Sequence, residues 1–227
     1  MTKIGLSKRL ALIASMINKK SIVADIGCDH ALLDIYITSS GIAKKSYACD
    51  IKEGAIKQAL KNIKLYNATS VYVRKANGLD AIDKKDNVDT IVISGLGNKT
   101  IIDILENNKK KLDNISTLII QSNTKNGDVR KSITKLGYYI SDEKLVLERN
   151  IIYTIIKFSK GSVKYNKKEL LFGPVLLKNK DYLFNKLIDN EILEVKRILV
   201  KLPKRMIFKK ISLYMKIAFL NANKTKK

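Results

Sequence analysis

Apolar runs and helical periodicities alternate along the first part of the chain. Leu6, Leu10, Ile13 and Ile17 recur at helical spacing and predict an opening helix. Short apolar runs predict five strands, at 22–26, 45–49, 71–74, 90–94 and 118–120. The segments between them have helical character, at 31–39, 53–66, 101–105 and 129–136. This alternation predicts a mostly parallel sheet covered on both faces, with ligands at the carboxyl ends of its strands.

A hairpin is predicted to complete the sheet. Segments 144–147 and 152–158 have strand character and are separated by only a short turn. One strand of such a hairpin runs antiparallel to the rest. The expected fold class is therefore α/β. This combination of strands and helices resembles the seven-stranded sheet of Rossmann-like methyltransferases, over residues 1–160.

The pattern changes after Phe158. Gly161-Ser162 and then Phe172-Gly173-Pro174 interrupt a basic stretch. Two amphipathic helices are predicted beyond it, at 182–202 and 206–220, on either side of Pro203. Helices joined by so short a connection usually pack antiparallel. Residues 161–227 are therefore expected to form a second domain, a basic and coiled-coil-like α-helical hairpin.

The charge of the chain favours a polyanionic partner. The formal net charge is +23, and residues 157–227 hold 19 Lys and Arg against 5 Asp and Glu, compared with 25 against 16 in residues 1–156. Most of the basic residues are Lys, which drift in base composition can also produce. Drift accounts for the preference for Lys over Arg better than for the shortage of acids. We therefore expect binding to nucleic acid.

The cysteines and the apolar segments bear on where the protein acts and whether it uses a membrane or a metal. The two cysteines, Cys28 and Cys49, have neither the number nor the spacing of a disulfide framework or a metal site. No signal-peptide pattern opens the chain, and no segment has the roughly 20 consecutive apolar residues of a membrane span. We expect a cytoplasmic protein that uses neither a membrane nor a metal, and we expect a monomer.

The segment from Asp25 to His30, with Asp50 at the end of the next strand, predicts a nucleoside site. Gly27 lets backbone approach a ligand closely, and Asp50, followed by Ile51, is placed to accept hydrogen bonds from ribose hydroxyls. The second and third glycines of a dinucleotide motif are missing. Asp29 would repel a pyrophosphate but could hold the amino group of a methionine. The site therefore favours S-adenosylmethionine over NAD.

Polar residues also follow the third, fourth and fifth strands, which brings them to the same edge of the sheet. Asn77-Gly78 could bind the adenine amino group of the cofactor, or form a simple turn. Ser94 and Gly95, with Gly97, could let a base or a sulfonium carbon approach backbone, or form only a strand-to-helix turn. Gln121-Ser122-Asn123 could contact substrate.

Two reaction types are disfavoured by what the chain lacks. Enzymes that methylate exocyclic amines of bases commonly use a loop with consecutive prolines, and this chain has only Pro174 and Pro203. Methylation of cytosine C5 usually needs a nucleophilic Cys. Cys28 and Cys49 both belong to the cofactor motifs, where small semi-buried side chains are the simpler interpretation.

These motifs together resemble the bacterial tRNA (adenine-22-N1)-methyltransferases over nearly the whole chain. They are segments 6–10 (LSKRL), 24–31 (ADIGCDHA), 77–79 (NGL), 93–97 (ISGLG), 120–123 (IQSN) and 172–174 (FGP), in the order and spacing of that family. The resemblance implies an enzyme that uses S-adenosylmethionine to methylate N1 of an adenine in the D-arm region of tRNA. It also implies that the C-terminal hairpin assists RNA binding.

The sequence departs from the family at three positions. Asn77 replaces an Asp, Asn98 replaces a Gly, and Asp50 replaces a Glu. An amide can still accept from adenine, and Asn tolerates left-handed backbone better than most residues. We expect these changes to alter the affinity for the cofactor more than the reaction.

The expected site residues follow from the motifs. Cofactor binding is expected from Asp25, Gly27, Cys28, Asp29, His30, Asp50, Ile51, Asn77, Gly78, Ser94 and Gly95. Asp29, Gly95 and Gly97 are the candidates for catalysis. Asp29 could accept from the N6 amine and stabilise the cationic product, or could serve only the cofactor or cap the next helix. Attack by N1 needs no base, so His30 is expected to line the pocket.

The expected RNA contacts come from both parts of the chain: Lys8, Arg9, Asn123, Lys196, Arg197, Lys201, Lys204, Arg205, Lys209 and Lys210. The motifs assign no aromatic residue to stack on the target base. Two alternatives stay open. One is a methyltransferase of a small molecule or a protein, and the other is a non-catalytic RNA-binding module.

Overall fold

The computed structural model describes residues 4–203 and 205–225. The chain folds into two compact units, Met1–Gly173 and Pro174–Lys227. The first unit contains the whole sheet, and the second is helical.

Seven strands form one sheet in the first unit, in the spatial order β3-β2-β1-β4-β5-β7-β6. Their bounds are β1 Ser21–Ile26, β2 Ala43–Asp50, β3 Val71–Lys75, β4 Thr90–Leu96, β5 Thr117–Ser122, β6 Tyr138–Glu148 and β7 Ile151–Lys160. The first five pair in parallel, and β7 pairs antiparallel with both β5 and β6. The Rossmann-like α/β sheet with one antiparallel strand is therefore confirmed.

Nine helices accompany the sheet in the described part of the chain. They are α1 Lys8–Met16, α2 Leu32–Ser39, α3 Glu53–Tyr66, α4 Asn98–Glu106, α5 Asn126–Lys135, α6 Lys167–Phe172, α7 Pro174–Asn179, α8 Tyr182–Lys201 and α9 Ile207–Ala222. Helix α1 begins where Ser7 accepts a hydrogen bond from the Leu10 amide. Only α6 and α7, which have six residues each, lack a counterpart in the sequence-based prediction.

The core of the first unit lies around β1, β4 and β5. Every residue of β5 is buried, as are the first four of β4, because helices cover both faces of a mostly parallel sheet. Side chains of α1 and α2 pack onto one such face, where Ile13 and Ile37 contact the cluster around Val23 and Val92. Within residues 4–203 and 205–225, no helix combines the length and the apolar character needed to cross a membrane.

The first unit ends later than the boundary expected at residue 160. The Tyr165 hydroxyl accepts from the Ile140 amide at 2.9 Å. Buried Arg130 donates through Nε to Glu143 Oε1 at 2.7 Å and through Nη1 to the carbonyl oxygens of Leu170 and Leu171. A buried guanidinium must satisfy its donors, so this cluster ties α6 to α5 and β6.

The second unit is built on α8 and α9, the two helices predicted on either side of Pro203. Helix α8 buries Phe184, Ile188, Ile192 and Val195 at helical spacing, and α9 buries Leu220. Lys216 of α9 forms a salt bridge with Glu191 of α8, with Nζ 2.9 Å away, and Lys224, just after α9, forms one with Asp189 of α8 at 2.6 Å.

Candidate active site

A cavity of about 630 Å³ opens at the carboxyl ends of the parallel strands. Its size is typical of a site for a small molecule or cofactor. The end of β1 and the loop after it contribute Asp25, Gly27 and Asp29, the end of β2 contributes Asp50, and the segment after β3 contributes Asn77. The lining also includes Ser94 and Gly95 of β4, Asn123 after β5, Arg9 of α1 and Tyr153 of β7.

The loop after β1 is tied to the end of β2. The amides of Gly27 and Cys28 both donate to the Cys49 carbonyl, at 2.8 and 3.0 Å. Gly27 has φ +83°, a left-handed conformation that disfavours any side chain. The position therefore needs glycine, and it presents bare backbone to the cavity.

The carboxylate of Asp50 is oriented by the backbone around it. Its Oδ1 accepts from the Lys52 amide at 2.9 Å, and its Oδ2 accepts from the Asp29 amide at 3.4 Å. The second of these bonds is long. The carboxylate of Asp50 therefore retains capacity to accept hydrogen bonds from a ligand at the β1–β2 edge of the cavity.

Asp29 and His30 lie at the rim of the cavity. Their side chains are 75% and 51% exposed, and His30 Nε2 is 3.5 Å from Asp29 Oδ2. Ala31, which precedes α2, has φ +55° and no side-chain capping bond. Asp29 therefore does not cap this helix, and its carboxylate is available to a ligand.

A buried pair of carboxyl groups lies beneath the rim. Asp25 is 4% exposed and lines the cavity, and fully buried Asp34 of α2 accepts from the Ser46 hydroxyl. Burial holds the pKa of Asp25 well above its usual range, helped by the nearby charge of Asp34 and by a hydrogen bond between the two side chains. Burial also raises the pKa of Asp34 to about 6, against the effect of the Ser46 bond.

Each carboxyl of this pair has one oxygen without a hydrogen-bond donor in the described part of the chain. Asp25 Oδ1 and Asp34 Oδ2 are buried without a hydrogen-bond donor among the described residues. A proton on one of the two carboxyls supplies a donor within the pair. A cation in the cavity, such as an ammonium group, is the other natural partner of an ionised Asp25.

The two cysteines beside the pair are unsuited to nucleophilic work. Cys28 and Cys49 are buried and free. Burial, with the charge of Asp34 as the next cause, raises the pKa of both thiols. Because the thiolate is the reactive form, both side chains act as small, semi-polar packing groups.

Gly95 interrupts the ladder between β4 and β5. The register shifts between Ser94 and Leu96, and Gly95 has φ +81°. Side-chain amides satisfy its backbone groups: its amide donates to Gln121 Oε1 at 3.0 Å, and its carbonyl accepts from Asn123 Nδ2 at 2.7 Å. The bulge thus directs backbone toward the cavity.

Asn77 places a side-chain amide at the end of β3, just before a turn. Gly78 has φ +54° and begins a short 3₁₀ turn, so the simple-turn interpretation describes the backbone correctly. Asn77 nevertheless lines the cavity beside Ile104, which leaves a binding role open to it.

The structure separates Gly97 and Asn98 from the cavity lining. Gly97 has φ −75°, which suits any residue, and Asn98 begins α4 without a left-handed conformation. Asn98 exchanges hydrogen bonds with Thr124 and donates to Asp128. The Asn in place of the family's Gly therefore has a structural explanation, and it carries no backbone strain.

Thirteen of the expected site residues lie together around the cavity: Arg9, Asp25, Gly27, Cys28, Asp29, His30, Asp50, Ile51, Asn77, Gly78, Ser94, Gly95 and Asn123. Lys8 is not among the lining residues. Lys196, Arg197, Lys201, Arg205 and Lys209 are exposed and Lys210 is partly exposed in the second unit, whereas Lys204 lies outside the described residues.

Sequence patterns did not identify Tyr153 or Asp34 as parts of the site. Tyr153 belongs to a strand with no motif of its own, and Asp34 lies in an apolar helical stretch. No group of three His, Cys, Asp or Glu side chains that could hold a metal occurs among the described residues.

Comparison with known proteins identifies relatives over most of the chain. The family model for tRNA (adenine(22)-N(1))-methyltransferase matches residues 23–222. The Bacillus subtilis tRNA (adenine(22)-N(1))-methyltransferase is 33% identical over 193 residues, which cover 82% of this chain and 81% of that protein.

Solved structures agree with that match. A Streptococcus agalactiae protein of the NADB-Rossmann superfamily has a TM-score of 0.93 and 33% identity, over 98% of both chains. M. capricolum TrmK, solved with its natural cofactor product S-adenosyl-homocysteine, has a TM-score of 0.85 and 32% identity, over 96% of both chains. From the length of the family match and these relatives, the chain belongs to the tRNA (adenine(22)-N(1))-methyltransferase family.

Proposed function

We propose that this chain transfers the methyl group of S-adenosylmethionine to N1 of adenine 22 in tRNA, in the cavity of the first unit. The observation that carries this proposal is a single cavity that joins two kinds of lining. Carboxylates and amides lie at the ends of β1, β2 and β3, and an open glycine bulge lies at β4. This division suits a cationic nucleoside cofactor at one end and a flat acceptor at the other.

The residues present fit the cofactor. Asp50 would accept from the ribose hydroxyls, and Asn77 from the adenine amine. Asp25, with its unpartnered Oδ1, and exposed Asp29 would hold the amino group of the methionine part. Bound S-adenosylmethionine supplies an electrophilic methyl group on a positively charged sulfur. The carboxylates around it favour that charge, whereas a pyrophosphate would be repelled.

The acceptor atom needs positioning more than acid–base help. N1 of adenine carries an in-plane lone pair, so no proton is removed before it attacks. Methylation places a positive charge on the base, which the carboxylate of Asp29 and the Gly95 carbonyl dipole would stabilise. His30, half exposed at the rim, has no proton to remove in this step.

The second unit would hold the RNA through its phosphates. Exposed Lys and Arg side chains of α8 and α9 supply charge without base recognition, so binding should weaken steeply with salt. The Watson–Crick edge of adenine must be free for N1 to react, so the base would leave its stack to enter the cavity. A monomer in the cytoplasm, acting without a metal, suffices for this reaction.

Methyl transfer to unmodified tRNA tests the proposal. The protein is incubated with methyl-labelled S-adenosylmethionine and an unmodified tRNA transcript, and the digested nucleosides are analysed. Label in 1-methyladenosine is expected. Label in another nucleoside would redirect the chemistry within the same fold, and cofactor binding without any RNA label would favour a protein or small-molecule acceptor.

A further inference from the structure

One wall of the cavity is aromatic. Tyr153 is the sole Phe, Tyr or Trp among the cavity-lining residues that the structure describes. Part of its side chain packs against the core cluster of α1, α2 and the central strands, which fixes the ring in place. The guanidinium carbon of Arg9 lies over the ring, 5.2 Å from its centre, so the two side chains stack and present one aromatic and cationic surface.

Gln121 fixes this surface at the acceptor end of the cavity. Its side chain is fully buried, and its Oε1 accepts from Arg9 Nη1 at 2.6 Å and from the Gly95 amide at 3.0 Å. A side chain built on Gly95 would come within 3.4 Å of Arg9 Nη1. The Arg9–Tyr153 surface therefore lies directly beside the bulge.

Such a surface fits a nucleobase. Aromatic rings and guanidinium planes are the groups on which splayed-out bases stack in protein–RNA complexes. The only other ring among the described lining residues is the imidazole of His30, which lies at the rim beside Asp29 and is 51% exposed. Gln121 joins Arg9 to the Gly95 amide, so an acceptor placed at the bulge lies next to this surface.

We propose that the target adenine stacks on the surface formed by Tyr153 and Arg9, and that Gln121 positions this surface against the Gly95 bulge. This inference rests on the proposed adenine methylation, and it assigns roles to residues at the acceptor end of the same cavity. Tyr153 contacts the base, and Gln121 acts through Arg9 and Gly95 as a positioning residue.

The chemistry of the step gives Tyr153 a role beyond binding. The N1 lone pair forms the new N–C bond while the C–S bond breaks and leaves its electron pair on sulfur. The positive charge therefore moves from sulfur to the adenine ring, and no proton is transferred. A Tyr ring face attracts a cation, so stacking on Tyr153 strengthens as the charge develops. The guanidinium of Arg9 repels that charge, which leaves the ring as the stabilising part.

The test compares two substitutions at one position. Tyr153→Phe keeps the ring, and Tyr153→Leu removes it. We expect Tyr153→Leu to lower kcat/KM for unmodified tRNA about tenfold or more, with the Kd for S-adenosylmethionine within about twofold of the wild-type value. Tyr153→Phe should remain close to wild type. Tyr36→Leu is the matched control, because Tyr36 packs partly buried against the same cluster without lining the cavity.

The fluorescence of a base analogue reports stacking directly, and a loss of packing alone would not change it. A tRNA with 2-aminopurine at the target position is bound in the presence of S-adenosyl-homocysteine. Stacking on Tyr153 should quench the fluorescence with the wild type and with Tyr153→Phe, and Tyr153→Leu should leave it brighter. Gln121→Leu should also brighten it, and Gln121→Glu, which keeps acceptors for Arg9 and Gly95, should restore the quenching.

Two outcomes would overturn the inference while the proposed function stands. In the first, the wild type is active and the Tyr153→Leu variant keeps both its kcat/KM and its quenching. In the second, Tyr153→Leu and Tyr36→Leu lose equal activity without a change in fluorescence. A wild type that binds S-adenosylmethionine but forms no 1-methyladenosine would instead overturn the proposed function itself.

Discussion

The cavity of the first unit gathers carboxylates, whereas the helices of the second unit display Lys and Arg. Asp25, Asp29 and Asp50 line the cavity in a unit that still carries net positive charge. Residues 174–227 hold 14 Lys and Arg against 4 Asp and Glu. All four acids are engaged: Asp181 accepts from the Phe184 amide, and the other three form salt bridges.

This difference shows how one chain can serve two ligands of opposite charge. A sulfonium cofactor requires local negative charge, which Asp25, Asp29 and Asp50 supply at the strand ends. A polyanion responds to charge spread over an exposed surface. Overall composition reports only the second requirement, so a net charge of +23 gives no sign of the three carboxylates in the cavity lining. Separate changes to the two regions should therefore have separate consequences.

The largest expected effect is a loss of stability from a substitution at the last residue of the first unit. Gly173 has φ +94°, and a Cβ there would lie 2.7 Å from Glu143 Cδ and closer still to both carboxylate oxygens. Glu143 is held by buried Arg130, so it cannot move aside without breaking that pair. We expect Gly173→Ala to lower the free energy of unfolding by about 3 kcal/mol or more, measured by urea denaturation.

Gly54→Ala is the control for that change. Gly54 lies in the first turn of α3. Apart from its chain neighbours and the backbone of its own helix, no atom lies within 4 Å of the position of its added Cβ. The substitution should be neutral or stabilising by about 0.5 kcal/mol. Equal stability of the two variants would mean that the segment before Gly173 does not depend on the Arg130–Glu143 pair.

Two buried carboxylates of the first unit should respond to pH with opposite signs. Burial raises the pKa of Asp34 to about 6, so its contribution to stability is present below the unfolded pKa near 4 and is lost as pH rises through 6. The Arg74 guanidinium lowers the pKa of Asp86, so that contribution is present above pH 4 and is lost as pH falls.

Amide substitutions should therefore act in opposite directions at pH 8. Asp34→Asn should stabilise the protein by about 2 kcal/mol at pH 8 and have little effect at pH 4. Asp86→Asn should destabilise it by about 2 kcal/mol at pH 8, because it breaks the two-bond pair with Arg74. Urea denaturation at both pH values measures the difference, and destabilisation by Asp34→Asn at pH 8 would contradict the burial argument.

Cofactor affinity should depend on the acidic cavity alone. Asp50→Ala removes the carboxylate assigned to the ribose, and we expect the Kd for S-adenosylmethionine to rise about 10- to 100-fold, as measured by calorimetry. The affinity for tRNA should stay within about twofold of wild type. Asp113→Asn, which removes an exposed charge outside the cavity, is the control.

RNA affinity should depend more on the second unit. Replacing Lys201, Arg205 and Lys209 by Gln should weaken tRNA binding about tenfold near physiological salt and reduce the magnitude of the salt slope by about 2. Binding of S-adenosylmethionine should not change. Equal replacement of Lys57, Lys61 and Lys64, exposed on α3, removes the same charge from the first unit. Equal losses from both triple variants would mean that net charge, not the helical unit, holds the RNA.

Much of the fold and half of the candidate site were accessible from the sequence. Strand periodicity, with Gly27 and Asp50 at strand ends, was sufficient to bring together the residues proposed to bind the cofactor, because parallel strands bring their carboxyl ends to one edge. The acceptor half depends on register. The β7 register with β5 ends at Ile155, opposite Gln121, and Tyr153 pairs with Val146 of β6. A shift of β7 by one residue would turn Tyr153 away from the cavity.

Buried polar pairs were the least predictable feature. Arg130 lies in an amphipathic helix, where a charged residue suggests an exposed face, yet its partner Glu143 is on a strand and both are buried. Asp34 occupies an apolar helical stretch, where only the tertiary contact with Ser46 and Asp25 gives it a role. Such pairs depend on contacts between distant segments, which local patterns do not encode.

The most direct test of the account is to map methylation in two tRNA transcripts that differ only in the base at position 22. We expect 1-methyladenosine at position 22 of the transcript with adenine there, and no methylation of the transcript with guanine in its place. Equal methylation of both transcripts, or modification at another atom of the base, would contradict it.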